Sequence, residues 1–144
     1  MKVLYDTSVL IPALLVGHDR HSIAFPQLET AKRGDDKGYL STHSLAEVYA
    51  VTTRLPQPLG ISPESAKEIT VDLLEYLVPV ALSVDDYRQA IARVTDLNLS
   101  GGVMYDAVIA QAALNASVER LATLNPKDFV RLGDEVSRLV HMPE

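Results

Sequence analysis

Short apolar runs and helical stretches alternate along this chain, and that alternation constrains its fold more than any other feature. Runs near residues 2–5, 38–41, 78–82, 120–124 and 137–142 carry the β-branched and aromatic character of strands. The segments between them read as helices near 7–15, 20–33, 44–54, 62–77, 84–97 and 103–116. Punctuation supports these limits. Ser62 followed by Pro63 is a helix start, Ser83 is a cap, and Gly101-Gly102 breaks the chain before the last long helix. The proline-rich stretch 54–60 reads as an exposed loop rather than a domain boundary. Strands separated by helices imply right-handed crossovers and a parallel sheet covered on both faces. The expected architecture is therefore a three-layer α/β/α fold around a mainly parallel sheet of four to five strands. In such sheets ligands gather at the carboxyl ends of the strands, and Asp6 stands at one of them.

A carboxylate between an apolar strand and an apolar helix is costly unless something neutralises it. Asp6 has potential companions. Glu47 lies in the segment THSLAEVYAV, and Asp106 is the one charge in VMYDAVIAQAAL, a helix apolar nearly all round and hence buried. Past the strand at 120–124 come Asn125 and Asp128, again polar groups at a carboxyl end. Each has a purely structural reading. Asp6 can cap the following helix. Glu47 stands three residues after Ser44, the capping-box spacing. Asp106 suits a helix dipole, and Asp128 can cap a short turn. Converging on one point, however, such acids repel by about 4 kcal/mol per pair at ~4 Å, even at an effective dielectric of roughly 20. A hard divalent cation with oxygen ligands, Mg²⁺ or Mn²⁺, makes such a cluster favourable.

Composition narrows the function. At 144 residues, with 47% hydrophobic and 22% charged residues, the expectation is one globular domain spanning 1–144. No apolar run approaches the ~20 residues of a membrane span, and Asp6 interrupts what would otherwise resemble a leader peptide. The chain lacks cysteine, which excludes disulfides and thiolate metal sites and is consistent with a cytoplasmic setting. A net charge of −6 argues against a non-specific nucleic-acid coat, so a polyanion has to be met through metal ions or a local basic patch. Arg20, Lys32, Arg33 and Lys37 are candidates for that patch, although an ordinary solvated helix face explains them as well. Four histidines without cysteine or an HExxH motif make a poor zinc set; His43, beside the Glu47 helix, reads as a surface or supporting group.

The blocks DTSVLI, HSLAEVYAV, GGVMYDAVIAQAA and ATLNPKDF, in that order and over nearly the whole chain, resemble the PIN-domain ribonucleases, and most of all the VapC toxins of toxin–antitoxin pairs. The resemblance implies a PIN fold and a metal-dependent endoribonuclease in which Asp6, Glu47 and Asp106 match the three acids of the family. Asn125 stands where family members often carry Asp, and Asp128 matches the acid that follows. Asn125 can coordinate through its carbonyl oxygen but brings no charge. Thr7 or Ser8, together with Thr123, match hydroxyl positions beside the metal. Such proteins are held by an antitoxin and form dimers, and an arginine of the antitoxin can occupy the acidic pocket in place of metal. The first helix and the stretch 62–77, with Ile69, Leu73 and Leu77 on one stripe, are more apolar than a single packed face requires, and so are candidate partner surfaces. Two other readings remain open: a catalytically silent PIN-fold binding module, and a phosphotransfer α/β domain with Asp6 as the acceptor.

Overall fold

In a computed structural model describing residues 1–144, the runs expected as strands form one five-stranded sheet. The elements in order are β1 (Lys2–Tyr5), α1 (Thr7–Leu14), α2 (His21–Lys32), β2 (Lys37–Ser41), α3 (Thr42–Arg54), α4 (Pro63–Leu73), β3 (Leu77–Val80), α5 (Val84–Asp96), α6 (Val103–Asn115), β4 (Arg120–Ala122), α7 (Pro126–Val130), α8 (Asp134–Ser137) and β5 (Val140–His141). The strand order is β3-β2-β1-β4-β5 and every pairing is parallel. Val3 of the central strand pairs with Gly38 on one side and Arg120 on the other.

Alternation along the strands supplies two cores. Val3, Tyr5, Leu40 and Ala122 face a layer made by α1 to α4, with Val9, Leu10, Leu28, Val48 and Leu73. Leu4, Tyr39 and Leu121 face the opposite layer, where Ala90 and Val94 of α5 and Ala107, Ile109 and Ala110 of α6 pack with Phe129 and Leu132. Leu4, Leu40 and Leu121 are wholly buried, each worth about 1.5–3 kcal/mol in transfer from water. Gly38 has a steric role: a Cβ there would collide with Leu77 and press on Ala31 and Tyr5. No helix is long and apolar enough to cross a membrane.

The chain builds β1, β2 and β3 outward in one direction and then returns to place β4 on the other side of β1. The carboxyl ends of β1 and β4 therefore flank the topological switch point, where open parallel sheets form a crevice. The backbone amide of Asp6 donates to the carbonyl of Ala122 at 2.9 Å, fixing the two ends together.

Three expected boundaries move. The helix expected over 62–77 ends at Leu73, because the amides of Leu74, Glu75 and Tyr76 bond three residues back and unwind it. Leu77 instead opens β3 opposite Gly38. The last strand is only Val140–His141, since Asp134–Ser137 makes a helical turn. Helix α3 starts at Thr42 under a Ser41 cap, whose hydroxyl accepts from the His43 amide.

Candidate active site

Asp6 occupies the N-cap position of α1 with extended backbone, yet its side chain does not cap the helix. Its Oδ2 accepts hydrogen bonds from the hydroxyls of Ser8 at 2.6 Å and Thr123 at 2.9 Å. These hydroxyls are themselves anchored. Ser8 Oγ accepts from the amide of Leu124 at 2.9 Å, and Thr123 Oγ1 from that of Asn125 at 3.0 Å. The ends of β1 and β4 are thus laced through one carboxylate. Asp6 is only 5% exposed, and burial raises its pKa above the ordinary aspartate value. The two hydroxyls partly offset that shift, and the charge of Glu47 adds to it. No hydroxyl reaches Oδ1, and Asp6 lines the cleft.

Glu47 projects from α3. Thr7 Oγ1 lies 2.9 Å from Glu47 Oε1 and 2.9 Å from the hydroxyl of Ser44. With Ser41 as the cap, Ser44 is inside the helix and the Ser44–Glu47 capping box does not form. His43 Nε2 stands 3.3 Å from the same Glu47 oxygen, and its ring stacks on Tyr105 of α6, centroids 5.4 Å apart and planes within 3°. Glu47 Oε2 has no such partner.

Asp106 enters from the first turn of α6. Its pKa is pushed up to about 7, chiefly by burial and then by the charges of Asp128, Asp6 and Glu47. Arg131, just past α7, opposes the shift with its Nη2 3.8 Å from Asp106 Oδ2 and 3.8 Å from Asp128 Oδ1. Those distances are too long for hydrogen bonds.

Asp6, Thr7, Ser8, Glu47, Asp106 and Asn125 line one cleft of about 230 Å³, floored by Ile11 and Ile109. Asn125 is thus in the cleft. Asp128 faces a neighbouring cavity with Lys127 and Met142, and reaches the site only through its field on Asp106. The polar lining is all oxygen apart from the Asn125 amide nitrogen, the chemistry a hard divalent cation prefers. The side chains surround the cleft without closing on a point: no three of its Asp, Glu or His groups are gathered into a finished ligand set. Burial first, and then the neighbouring carboxylates, raise Asp6 and Asp106; a bound cation would offset both costs, so the residues suit a divalent metal.

His43 is the supporting group that the sequence allows beside Glu47, but its stacking on Tyr105 depends on α3 meeting α6. Arg131 gave no signal beyond its i,i+3 spacing from Asp128.

An acid-lined cleft at the switch point of a five-stranded parallel sheet defines an α/β domain built around a carboxylate centre. The chain belongs to the PIN domain family, which matches residues 3–135. It is 33% identical over 118 residues to ribonuclease VapC27 of Mycobacterium tuberculosis, covering 82% of this chain and 80% of that protein. Its fold is similar to that in the crystal structure of VapBC2 from Rickettsia felis bound to a promoter DNA fragment, with a TM-score of 0.70, 19% identity and all of both chains covered. It is likewise similar to a chain of a toxin–antitoxin complex from Klebsiella pneumoniae, with a TM-score of 0.62, 22% identity, and 88% of this chain and 89% of that one covered.

Proposed function

We propose that the chain, acting as one domain over 1–144, is a metal-dependent endoribonuclease and the toxin of a toxin–antitoxin pair. The observation that carries the reading is the meeting of Asp6, Glu47 and Asp106, drawn from a strand end and two helices, around one cleft. Kinship with a protein named ribonuclease VapC27 supports RNA as the substrate.

Asp6 through Oδ1, Asp106, Glu47 and the Asn125 carbonyl would hold Mg²⁺ or Mn²⁺. Such an ion supplies an acidified water and neutralises charge at phosphorus. The chain's own groups do the rest. Ser8 and Thr123 fix the plane of Asp6 and partly offset the effect of its burial. Thr7 and His43 hold one oxygen of Glu47, leaving Oε2 free either to hold the ion or to orient a water as general base. Ile11 and Ile109 line the cleft with apolar surface, strengthening the electrostatics within it. The phosphotransfer reading calls for a lysine near Asp6, and Lys127 lines the neighbouring cavity instead.

The proposed partners are RNA, a cognate antitoxin and a second copy of the chain; the fold shared with toxin–antitoxin complexes supports the second. Helix α1 is not the open face its composition suggested, because Val9 to Ala13 are buried beneath neighbouring helices. Apolar surface remains at its end, where Leu14, Leu15 and Val16 border a groove of about 560 Å³ with Pro58, Leu59 and Ile61. On α4, Val71 is exposed, as is Leu74 just after it. An antitoxin arginine reaching the carboxylates would displace the cation and inhibit.

Incubation of the purified chain with cellular RNA tests the reading. Cleavage in Mg²⁺ or Mn²⁺, its loss in EDTA, and growth arrest on expression that the neighbouring gene product relieves are expected. Cleavage that survives thorough chelation, or no cleavage of any RNA, contradicts it.

A further inference from the structure

A second cleft, of about 240 Å³, adjoins the carboxylate cleft and shares Ser8, Ile11 and Asn125 with it. Its outer wall carries Arg20 and His18, and Pro12 and Leu124 complete it. The two clefts differ in charge. The carboxylate cleft holds three acids, whereas this one holds none and carries a guanidinium.

Arg20 has no ion-pair partner in the chain. Its backbone amide donates to His18 Nδ1 at 3.1 Å, and the adjacent Asp19 carboxylate lies 3.0 Å from that same ring nitrogen rather than on Arg20. Arg131, the arginine on the other side of the site, lies between two carboxylates. The remaining basic candidates are elsewhere: Lys32, Arg33 and Lys37 cluster where α2 ends and β2 begins, at the amino edge of the sheet, and Arg33 pairs with Asp35. In a chain of net charge −6, an arginine without an ion pair, lining the cleft next to the candidate centre, is a local exception to the prevailing field. Asn125, on the wall common to both clefts, lends no side-chain hydrogen bond to the fold. Its carbonyl oxygen can face the metal side while its N–H groups face the Arg20 side.

We propose that the Arg20 cleft is a subsite for a second backbone phosphate of single-stranded RNA, flanking the phosphodiester that is cut, with Arg20 supplying the charge and the Asn125 amide a donor. The proposal rests on the nuclease reading and adds to it the direction in which the strand leaves the centre. Arg20 is a binding group here and takes no part in bond cleavage. The guanidinium fork matches phosphate geometry, so the contact is charge-assisted and directional.

The test is binding of a fluorescently labelled oligouridylate in Mg²⁺, read by anisotropy across a salt series at low temperature, together with cleavage kinetics. Arg20→Ala should weaken binding roughly tenfold and lower the slope of log affinity against log salt by about 0.7, the share of one single-strand phosphate contact. KM should rise while kcat holds, and Arg20→Lys should recover the slope. Neutral methylphosphonate linkages placed singly along the oligonucleotide should reveal one position that weakens wild-type binding and leaves Arg20→Ala unaffected. If every position weakens both proteins alike, Arg20 touches no phosphate and the subsite is wrong, while the nuclease reading stands. If the wild-type chain neither binds nor cuts RNA, both readings fall.

Discussion

The two walls of the carboxylate cleft are built differently. On the β1–β4 wall, Asp6 is held by two hydroxyls at 2.6 and 2.9 Å, each tied to a backbone amide, so the carboxylate is fixed before any ligand arrives. On the α6–α7 wall, Asp106 has only a charge contact with Arg131 at 3.8 Å and shares that arginine with Asp128. One wall is fixed by directional bonds, the other balanced by fields. The proposed metal-dependent centre would gain from this division. The fixed wall sets position, and the balanced wall can change protonation and shift when the charge in the cleft changes.

The largest effect that can break this contrast is the loss of any of the three cleft acids. Asp6→Ala, Asp106→Ala and Glu47→Ala should each lower cleavage by about a thousandfold or more while far-ultraviolet circular dichroism stays unchanged, since none of the three belongs to the two apolar cores. A Glu47→Ala protein that keeps its activity would reduce Glu47 to a structural role. Asn125→Ala should fall further than Asp128→Ala in a side-by-side assay, because Asn125 lines the cleft and Asp128 does not.

Next in size are the hydroxyls of the fixed wall. Thr123→Val leaves Oδ2 of Asp6 with one donor and should lower stability by about 1–2 kcal/mol, measured by urea unfolding, and activity by roughly tenfold to a hundredfold. If Thr123→Val is as active as the wild type, the lacing of β1 to β4 does not serve the chemistry.

The smallest effect sharpens the electrostatic side. Because the Asp106 pKa is raised in the folded chain to about 7 from 3.8, the folded state holds more protons than the unfolded state between those values. The contribution of Asp106 to stability is therefore fully present below pH 3.8 and is lost as pH rises toward 7. Metal-free Asp106→Asn should melt at a higher temperature than the wild type above pH 7, with the gap shrinking as pH falls. An equal gap at every pH would remove the charge explanation.

Much of this was legible in the sequence, and the physical reason differs by residue. Asp6 and Asn125 announced themselves because strand ends are local events, and Asp106 because a lone acid in an apolar helix contradicts its surroundings. The Ser41 cap was missed because Ser44 offered a better pattern. The choice was settled by β2, which keeps its pairing through Ser41. The end of α4 was missed because Leu77 continues a helical stripe and equally suits a strand; burial beside Gly38 decided it. Arg131 and the His43–Tyr105 stack are products of helices meeting across the fold, which no local pattern records.

The claim that the cleft is a divalent-metal centre completed by a shift in Asp106 is tested most directly by calorimetric titration with Mn²⁺ near pH 7 in buffers of different ionisation enthalpy, which counts the protons released. With Asp106 titrating at about 7, binding should expel about half a proton from that residue per ion. The count should rise toward one as pH falls and vanish as pH rises, and Asp106→Asn should show weaker binding with this release removed. No Mn²⁺ binding, or the same proton count in Asp106→Asn as in the wild type, would contradict the account.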